Sequence, residues 1–304
     1  MLHELPLVVF TVFAQMSVGS FVVLGLIHVV GFRVPPKVMD RVSDPALFAI
    51  GPLLVLGLAA STLHLGTPLR AANALRHLPS SWLSREILVG ILFAGLGAAF
   101  AVCQWRRWLT PRLRQGLAVT TAVTGLVLVF FISRVYSLRT VPAWDTWHTA
   151  IRFYSTTFLL GFLAVGVALV VAHGIRTRRG DDDPQARRLI VSSLRGIAIG
   201  SILVLGVKFV GLPSYLGGLA TSEEVAAHQS LDTLSGTYGG FSLAQTILVF
   251  AGVAVLGIFL AQLSRRAVSA RALGLVAGSA FVLVLTGEVI GRMLFYASMV
   301  RVGM

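Results

Sequence analysis

Long apolar stretches separated by short polar segments run along the whole chain. Eight of them have few charges and are close to the roughly 20 residues that a helix needs to cross the hydrocarbon core of a bilayer. They cover residues 5–31, 45–65, 86–105, 115–133, 153–175, 189–207, 241–263 and 272–299. Strands of a membrane barrel would instead show short alternating segments. The pattern therefore predicts an all-α, polytopic integral membrane protein, a bundle of eight transmembrane helices.

The composition supports this prediction. The 304 residues are 56% hydrophobic and 12% charged, with a mean hydropathy of +0.85, whereas soluble domains are typically about 25% charged. The first apolar stretch lacks a basic leading region and is too long for a cleavable signal. We find no fixed-period repeat and no soluble domain. Residues 1–304 are therefore predicted to form a single transmembrane domain, multi-pass in the inner (cytoplasmic) membrane.

The charge distribution predicts an orientation. The net charge is +13, and 16 of the 25 Lys and Arg residues fall on the side of the first connecting segment. The positive-inside rule accounts for this excess without a nucleic-acid partner and makes that side cytoplasmic. Both termini are then extracytoplasmic.

The supply of metal and cofactor ligands is poor. Cys103 is the single cysteine, which excludes an internal disulfide and a Cys-ligated iron–sulfur or zinc site within this chain. A haem between helices would need two histidines at one depth, and only His28 and His173 fit that condition. Nothing distinctive surrounds them, and nucleotide-binding loops are absent. We therefore expect no metal site, no haem and no bound nucleotide.

Ionisable residues inside spans are costly and usually functional. Following the helix directions, His64 ends the second span, Glu86 opens the third, Arg134 ends the fourth, and Glu288 and Arg292 share one face of the eighth. All five are predicted at the outer membrane level. Structural alternatives stay open: Glu288 and Arg292 could neutralise each other, Arg134 could extend to lipid headgroups, and Glu86 could be a first-turn acid favoured by the helix dipole.

His64 is the sharpest candidate within this group. It stands before a Gly-x-Pro turn, and Arg70 and Asn73 follow where they would shape the mouth of a site. A neutral imidazole can accept a proton, and a nearby carboxylate such as Glu86 can carry it onward. His64 and Glu86 are thus predicted to act as a catalytic pair on a lipid-soluble molecule whose hydroxyl groups lose protons on oxidation.

The outward segments are the longer ones, at residues 66–85, 135–152 and 208–240. Long ordered connections usually have a task. The aromatic stretch at residues 141–154 favours an interfacial belt, with a partner or ligand contact as the alternative.

At these same residues the sequence resembles the membrane anchor subunit family of dimethyl sulfoxide reductase, over nearly the whole chain. The matching blocks are HELPLVVFTVFAQ (3–15), ASTLHLGTPLRAANAL (60–75), LSREI (83–87), RVY (134–136), TVPAW (140–144) and GEVIGRMLFY (287–296). The second block is quite specific.

The resemblance implies a non-catalytic anchor without a redox cofactor of its own. Its implied partners are a molybdopterin catalytic subunit and a four-cluster iron–sulfur subunit, for which it oxidises menaquinol, an exchangeable substrate from the quinone pool in the membrane lipid. The family's quinol-linked histidine and glutamate match His64 and Glu86. The predicted quinol-binding set is His64, Arg70, Asn73, Glu86, Arg134, Glu288 and Arg292.

Two other functions are compatible with the sequence. The same site could run in reverse and reduce quinone for a substrate-oxidising molybdoenzyme, because the direction depends on potentials in other subunits. A secondary transporter is a more distant alternative, since such proteins favour midplane sites and inverted repeats.

Overall fold

A computed structural model describes residues 5–64, 77–181, 183–263 and 270–303. Every secondary-structure element in these ranges is helical. In chain order they are α1 (Leu5–Val30), α2 (Pro36–His64), α3 (Trp82–Trp105), α4 (Pro111–Tyr136), α5 (Trp147–Arg178), α6 (Pro184–Ala220), α7 (Val225–Asp232), a π-helical turn (Thr233–Thr237), α8 (Gly239–Leu263) and α9 (Ala270–Ala297).

The eight long helices correspond one by one to the eight predicted spans, which confirms the all-α, polytopic prediction. Among the described residues, seven helices are long and apolar enough to cross a membrane. The remaining predicted span, 45–65, falls in α2, where several side chains and Leu65 lie outside the described residues.

Polar caps set several helix starts. The Ser81 hydroxyl accepts a hydrogen bond from the Ser84 backbone N–H at 3.3 Å, and Thr110 does the same for Leu113 at 3.4 Å. The Asp183 carboxylate accepts from Gln185 at 2.9 Å. Such side chains satisfy backbone donors that have no partner within the helix. Helices therefore begin a few residues before the apolar stretches do.

One boundary prediction is wrong. Residues 208–240 were expected to form an outward connection, but α6 continues to Ala220 and is followed by α7. Lys208 consequently lies inside a helix, where its ammonium group pairs with Glu288 of α9. A charge that ends an apolar stretch in the sequence does not end the helix, because a partner on another helix compensates it.

Glycines allow the central helices to approach closely. A Cβ atom added to Gly161 of α5 would lie 2.1 Å from the carbonyl carbon of Gly19 on α1, and one added to Gly19 would lie 1.9 Å from the Thr157 carbonyl oxygen. Backbones in contact at small residues are a common means of helix association in membranes. Here they place α5 directly against α1, at the centre of the bundle.

An ionic network joins α2 to the α3–α4 turn at the basic end of the bundle. Arg107 pairs with Asp44 at 2.6 Å and Asp40 at 3.1 Å, and Arg114 pairs with Asp40 at 3.2 Å. The hydrogen bond with Asp44 raises the pKa of the Arg107 guanidinium above its ordinary value. This network holds α2, α3 and α4 together at one end of the bundle. The polar residues described next lie at the opposite end.

Candidate functional site

A pair of tyrosines lies at the end of the bundle where α1 and α3 begin and α4 and α9 end. The Tyr296 hydroxyl is 3.0 Å from the Tyr136 hydroxyl and 3.4 Å from the Thr11 hydroxyl. Tyr136 also packs face to face with Phe153 at a centroid distance of 5.4 Å. Two phenol oxygens are thus held inside the bundle, packed against aromatic rings.

Glu86 lies beside this tyrosine pair. Its residue is only 9% exposed, and its charge interacts with both Tyr136 and Tyr296. Within the described part of the chain, Glu86 has no hydrogen-bond or ion-pair partner. A carboxylate is expensive in a membrane interior unless it is paired or protonated, so this group is suited to hold a proton or to meet a polar ligand.

Arg292 also lies near the tyrosine pair. Its guanidinium donates to the Gln15 side-chain oxygen at 2.7 Å and lies 3.8 Å above the Phe153 ring. Its charge also interacts with Tyr136 and Tyr296. We refer to Gln15, Glu86, Tyr136, Arg292 and Tyr296 as the central polar cluster.

Glu288 has its closest partners outside this cluster. Its carboxylate accepts a hydrogen bond from Thr156 at 2.7 Å and forms an ion pair with Lys208. The charges of Glu288 and Arg292 do interact. The direct contacts differ, because Glu288 bonds to side chains of α5 and α6, whereas Arg292 donates a hydrogen bond to a side chain of α1. The two residues therefore do not form an isolated pair that neutralises only itself.

Arg134 is placed away from the central polar cluster. It is exposed, and its guanidinium lies 5.2 Å from the centre of the Trp82 ring, which Arg85 also contacts at 4.5 Å. This cation–π arrangement, where α3 begins and α4 ends, suits the membrane interface. It matches the structural alternative for Arg134 better than a role as a quinol ligand.

The structure describes the remaining candidates only in part. Arg70 and Asn73 lie outside the described residues, as does the side chain of His64. The backbone does place the end of α2: Ser43 contacts His28 and Gly57 lies beside Ala14, so α2 runs antiparallel to α1. His64 therefore ends α2 at the same end of the bundle as the central polar cluster.

The aromatic stretch at 141–154 is divided between two environments. Trp147 is 61% exposed, as an interfacial belt requires, but Trp144 is only 4% exposed. The Trp144 ring stacks on Phe295 at 4.8 Å, and its indole N–H donates to the Phe295 carbonyl at 2.9 Å. The belt interpretation is thus wrong for Trp144, which instead fastens the α4–α5 connection to α9.

Sequence reasoning missed several residues near the candidate site. Gln15, Tyr136 and Tyr296 lie in the family-like blocks, but their side chains carry no charge, so the cost of burying a charge does not point to them. Thr156 and Lys208 lie outside those blocks. The sequence does contain a signal for the tyrosines, because each stands near the end of a helix and close to an arginine. Tyr136 follows Arg134 by two residues, and Tyr296 follows Arg292 by four.

The fold and this arrangement define a multi-pass membrane protein with buried polar groups near one membrane face. The comparison with protein families agrees over nearly the full length. The chain belongs to the family of DMSO reductase anchor subunits (DmsC), whose model matches residues 1–298.

Characterised relatives show the same relationship. The sequence is 33% identical to one chain of the anaerobic dimethyl sulfoxide reductase of Escherichia coli K12, over 99% of this protein and 97% of the relative. It is 28% identical to a chain of the Haemophilus influenzae anaerobic dimethyl sulfoxide reductase, over 100% and 97%. A sulfite dehydrogenase subunit of Allochromatium vinosum is 33% identical, over 35% of each sequence.

The Lys208–Glu288 pair yields a testable prediction. Lys208→Met should sharply reduce the amount of folded protein in the membrane, because removing one partner of a buried ion pair typically costs about 3–5 kcal/mol. The double variant Lys208→Met/Glu288→Gln should recover part of that loss, since no charge is then left alone. Membrane levels and thermal unfolding in detergent measure both effects. Lys37→Met, at an exposed lysine, is the matched control, and equal levels for all variants would contradict the prediction.

Proposed function

We propose that this chain is the membrane anchor of a dimethyl sulfoxide reductase-type molybdoenzyme in the inner membrane and that it oxidises menaquinol. In this proposal it holds an iron–sulfur subunit and a molybdopterin catalytic subunit against the outer membrane face. His64 and Glu86 receive the quinol protons, and the electrons pass to the iron–sulfur subunit. Family membership supports the anchor role. The quinol chemistry is inferred from the site.

The observation that carries the quinol proposal is the position of Glu86. Its carboxylate is buried, has no bonding partner among the described residues, and lies beside two phenol groups. A catalytic acid or base needs a group that can change its protonation state within reach of the reacting hydroxyl. Glu86 also lies within five residues of the start of α3, so a proton taken up there has a short path to the end of the bundle.

The reaction balances without a cofactor in this chain. Oxidation of one quinol breaks two O–H bonds and yields one quinone, two protons and two electrons. The protons go to basic groups, for which His64 and Glu86 are our candidates, and then to the outer aqueous phase. Tyr136, Tyr296 and Arg292 supply hydrogen-bonding and positive groups that can orient the quinol oxygens. The two electrons need an acceptor in a neighbouring subunit.

Glu86→Gln tests this proposal in the assembled complex. The amide keeps the size of the side chain but cannot take up a proton, so turnover with a menaquinol analogue should fall. Acid–base groups typically contribute about 10²–10⁴-fold, and a loss toward the lower end is expected because water can replace part of the function. A reduced dye that donates electrons directly to the catalytic subunits should support an unchanged rate.

Glu223→Gln provides the control, because Glu223 is an exposed carboxylate near α7. It should leave both rates unchanged. Normal quinol-dependent turnover in Glu86→Gln would contradict the proposed site. Parallel loss of the quinol and dye activities would instead show that Glu86 serves assembly.

The reverse direction is the second candidate. The partial similarity to a sulfite dehydrogenase subunit supports this direction, because that relative's name describes an enzyme that oxidises its substrate. In that case the same groups would deliver protons to a quinone. Measuring quinone reduction and quinol oxidation by the same purified complex distinguishes the two directions.

A further inference from the structure

A cavity opens between α6 and α8, and its lining contains no member of the central polar cluster. Its volume is about 350 Å³, near the lower end of the roughly 300–1,000 Å³ typical of small-molecule sites. The walls are mainly apolar, with Leu212, Leu216 and Leu243 among them, and the polar side chains include His148, Arg152 and Lys208. We call this cavity the α6–α8 pocket.

Positive charge is in excess around the α6–α8 pocket. Lys208 and Arg152 line it, and Arg152 is close enough to Arg292 for their charges to repel. Among the described residues, Glu288 is the carboxylate that forms an ion pair with any of these three cations, and it pairs with Lys208. Arg152 has a hydrogen bond to the Gly291 carbonyl at 3.2 Å and ring contacts, but no anion. Charges in a membrane interior are normally paired, and no carboxylate among the described residues pairs with Arg152, so an anionic ligand would complete the arrangement.

His148 adds an unsatisfied polar atom to the same cavity. The residue is 7% exposed, and its Nε2 atom makes no hydrogen bond of normal geometry with the described residues, although the Gly211 backbone lies beside the ring. The ring is held in place between Trp147, at a centroid distance of 3.8 Å, and Tyr215, at 5.5 Å. Buried side-chain nitrogens are rarely left without a partner. A ligand oxygen in the α6–α8 pocket would supply one.

The surroundings of the cavity indicate how such a ligand arrives. At the rim of the pocket, α6 and α8 present large apolar side chains outward: the lining residue Leu243 is 61% exposed, and its neighbours Val210 and Ile247 are 81% and 56% exposed. In a membrane-spanning helix these surfaces face lipid. The pocket therefore combines a lipid-facing apolar entrance with an inner end that carries Arg152, Lys208 and His148.

We propose that the α6–α8 pocket binds an anionic phospholipid. The phosphate group accepts hydrogen bonds from Arg152 and His148 and offsets the excess positive charge. One acyl chain leaves along the apolar wall that contains Leu212. This role is independent of the quinol proposal, because it needs neither His64 nor Glu86 and involves no redox step.

The test uses the full-length protein, purified in detergent and stripped of lipid. Binding is measured by native mass spectrometry and by the thermal unfolding midpoint with phosphatidylglycerol, with phosphatidylcholine of the same acyl chains, with inorganic phosphate, and with menadione. We expect phosphatidylglycerol alone to be retained and to raise the midpoint. Arg152→Gln should weaken its binding by about 10–100-fold, the usual effect of losing a hydrogen bond to a charged group.

A steric variant protects the test against a folding defect in Arg152→Gln. Leu212→Trp keeps every charge but fills the cavity, and it should also prevent retention of phosphatidylglycerol. The matched controls are Val210→Trp, on the lipid-facing side of the same helix, and Arg139→Gln, at an exposed arginine; both should bind as the wild type does. Equal effects of phosphatidylcholine or free phosphate would overturn the proposal. So would preferential binding of menadione, or unchanged lipid binding in both pocket variants.

Discussion

His64→Gln is expected to lower quinol-dependent turnover by about 10²–10⁴-fold, the range typical of a general acid–base group. Glutamine preserves similar bulk and hydrogen bonding but has no nitrogen that titrates near neutral pH. The end of α2 lies at the same end of the bundle as the central polar cluster, which is the end where the proposed function releases the quinol protons to water. Steady-state rates with a menaquinol analogue measure the effect.

Two comparisons separate a catalytic from a structural role for His64. Dye-linked reduction by the assembled complex should be unchanged in His64→Gln, because the dye bypasses this protein. His228→Gln should keep both activities, since His228 is exposed and lies 2.9 Å from the Ser222 carbonyl in the α6–α7 region. A normal quinol rate in His64→Gln would refute the assignment, and so would equal loss of both activities.

Gly161→Ala is expected to remove most of the folded protein, although alanine is a better helix former than glycine. The added methyl group would lie 2.1 Å from the Gly19 carbonyl carbon, and a backbone atom cannot move aside as a side-chain tip can. Overpacking typically costs about 1–3 kcal/mol, and this contact belongs at the upper end because α1 and α5 must separate along their length. Membrane abundance and unfolding temperature measure the effect.

Gly95→Ala is the matched control, since a Cβ atom at Gly95 of α3 would meet nothing within 4 Å. It should leave abundance unchanged or raise it slightly. A second variant, Gly19→Ala, should reproduce the defect from the other side of the same contact. Wild-type abundance of Gly161→Ala would show that α1 and α5 are farther apart than the structure places them.

Most of the fold is predictable from the sequence, because hydrophobic length alone identifies a helix that crosses a membrane. The exceptions arise where polar residues extend a helix. The Ser81 and Asp183 caps make α3 and α6 begin before the apolar stretches do. The Lys208–Glu288 pair allows α6 to continue beyond its predicted end. Both effects depend on bonds with other residues, which a pattern of hydropathy does not contain.

The candidate site is predictable to a lesser degree. The cost of burying charge identifies Glu86, Glu288 and Arg292 as special residues, but it does not say which way each helix is rotated. That rotation joins Arg292 to Gln15 rather than to Glu288 alone, and it leaves Arg134 on the outer surface against Trp82. The tyrosine pair is not predictable for a related reason, because it forms only through a contact between α4 and α9.

The burial of Trp144 gives the protein a built-in optical reporter. Of its five tryptophans, all in the described part of the chain, Trp144 is the one that is buried; Trp82 is half-buried, and Trp105, Trp108 and Trp147 are exposed. Its indole stacks on Phe295, directly before Tyr296 in the sequence, and contacts the Tyr136 ring at 5.5 Å. Fluorescence from a form that retains only Trp144 would therefore respond to events at the tyrosine pair, and the other four positions can be changed to Phe without entering that buried group of rings.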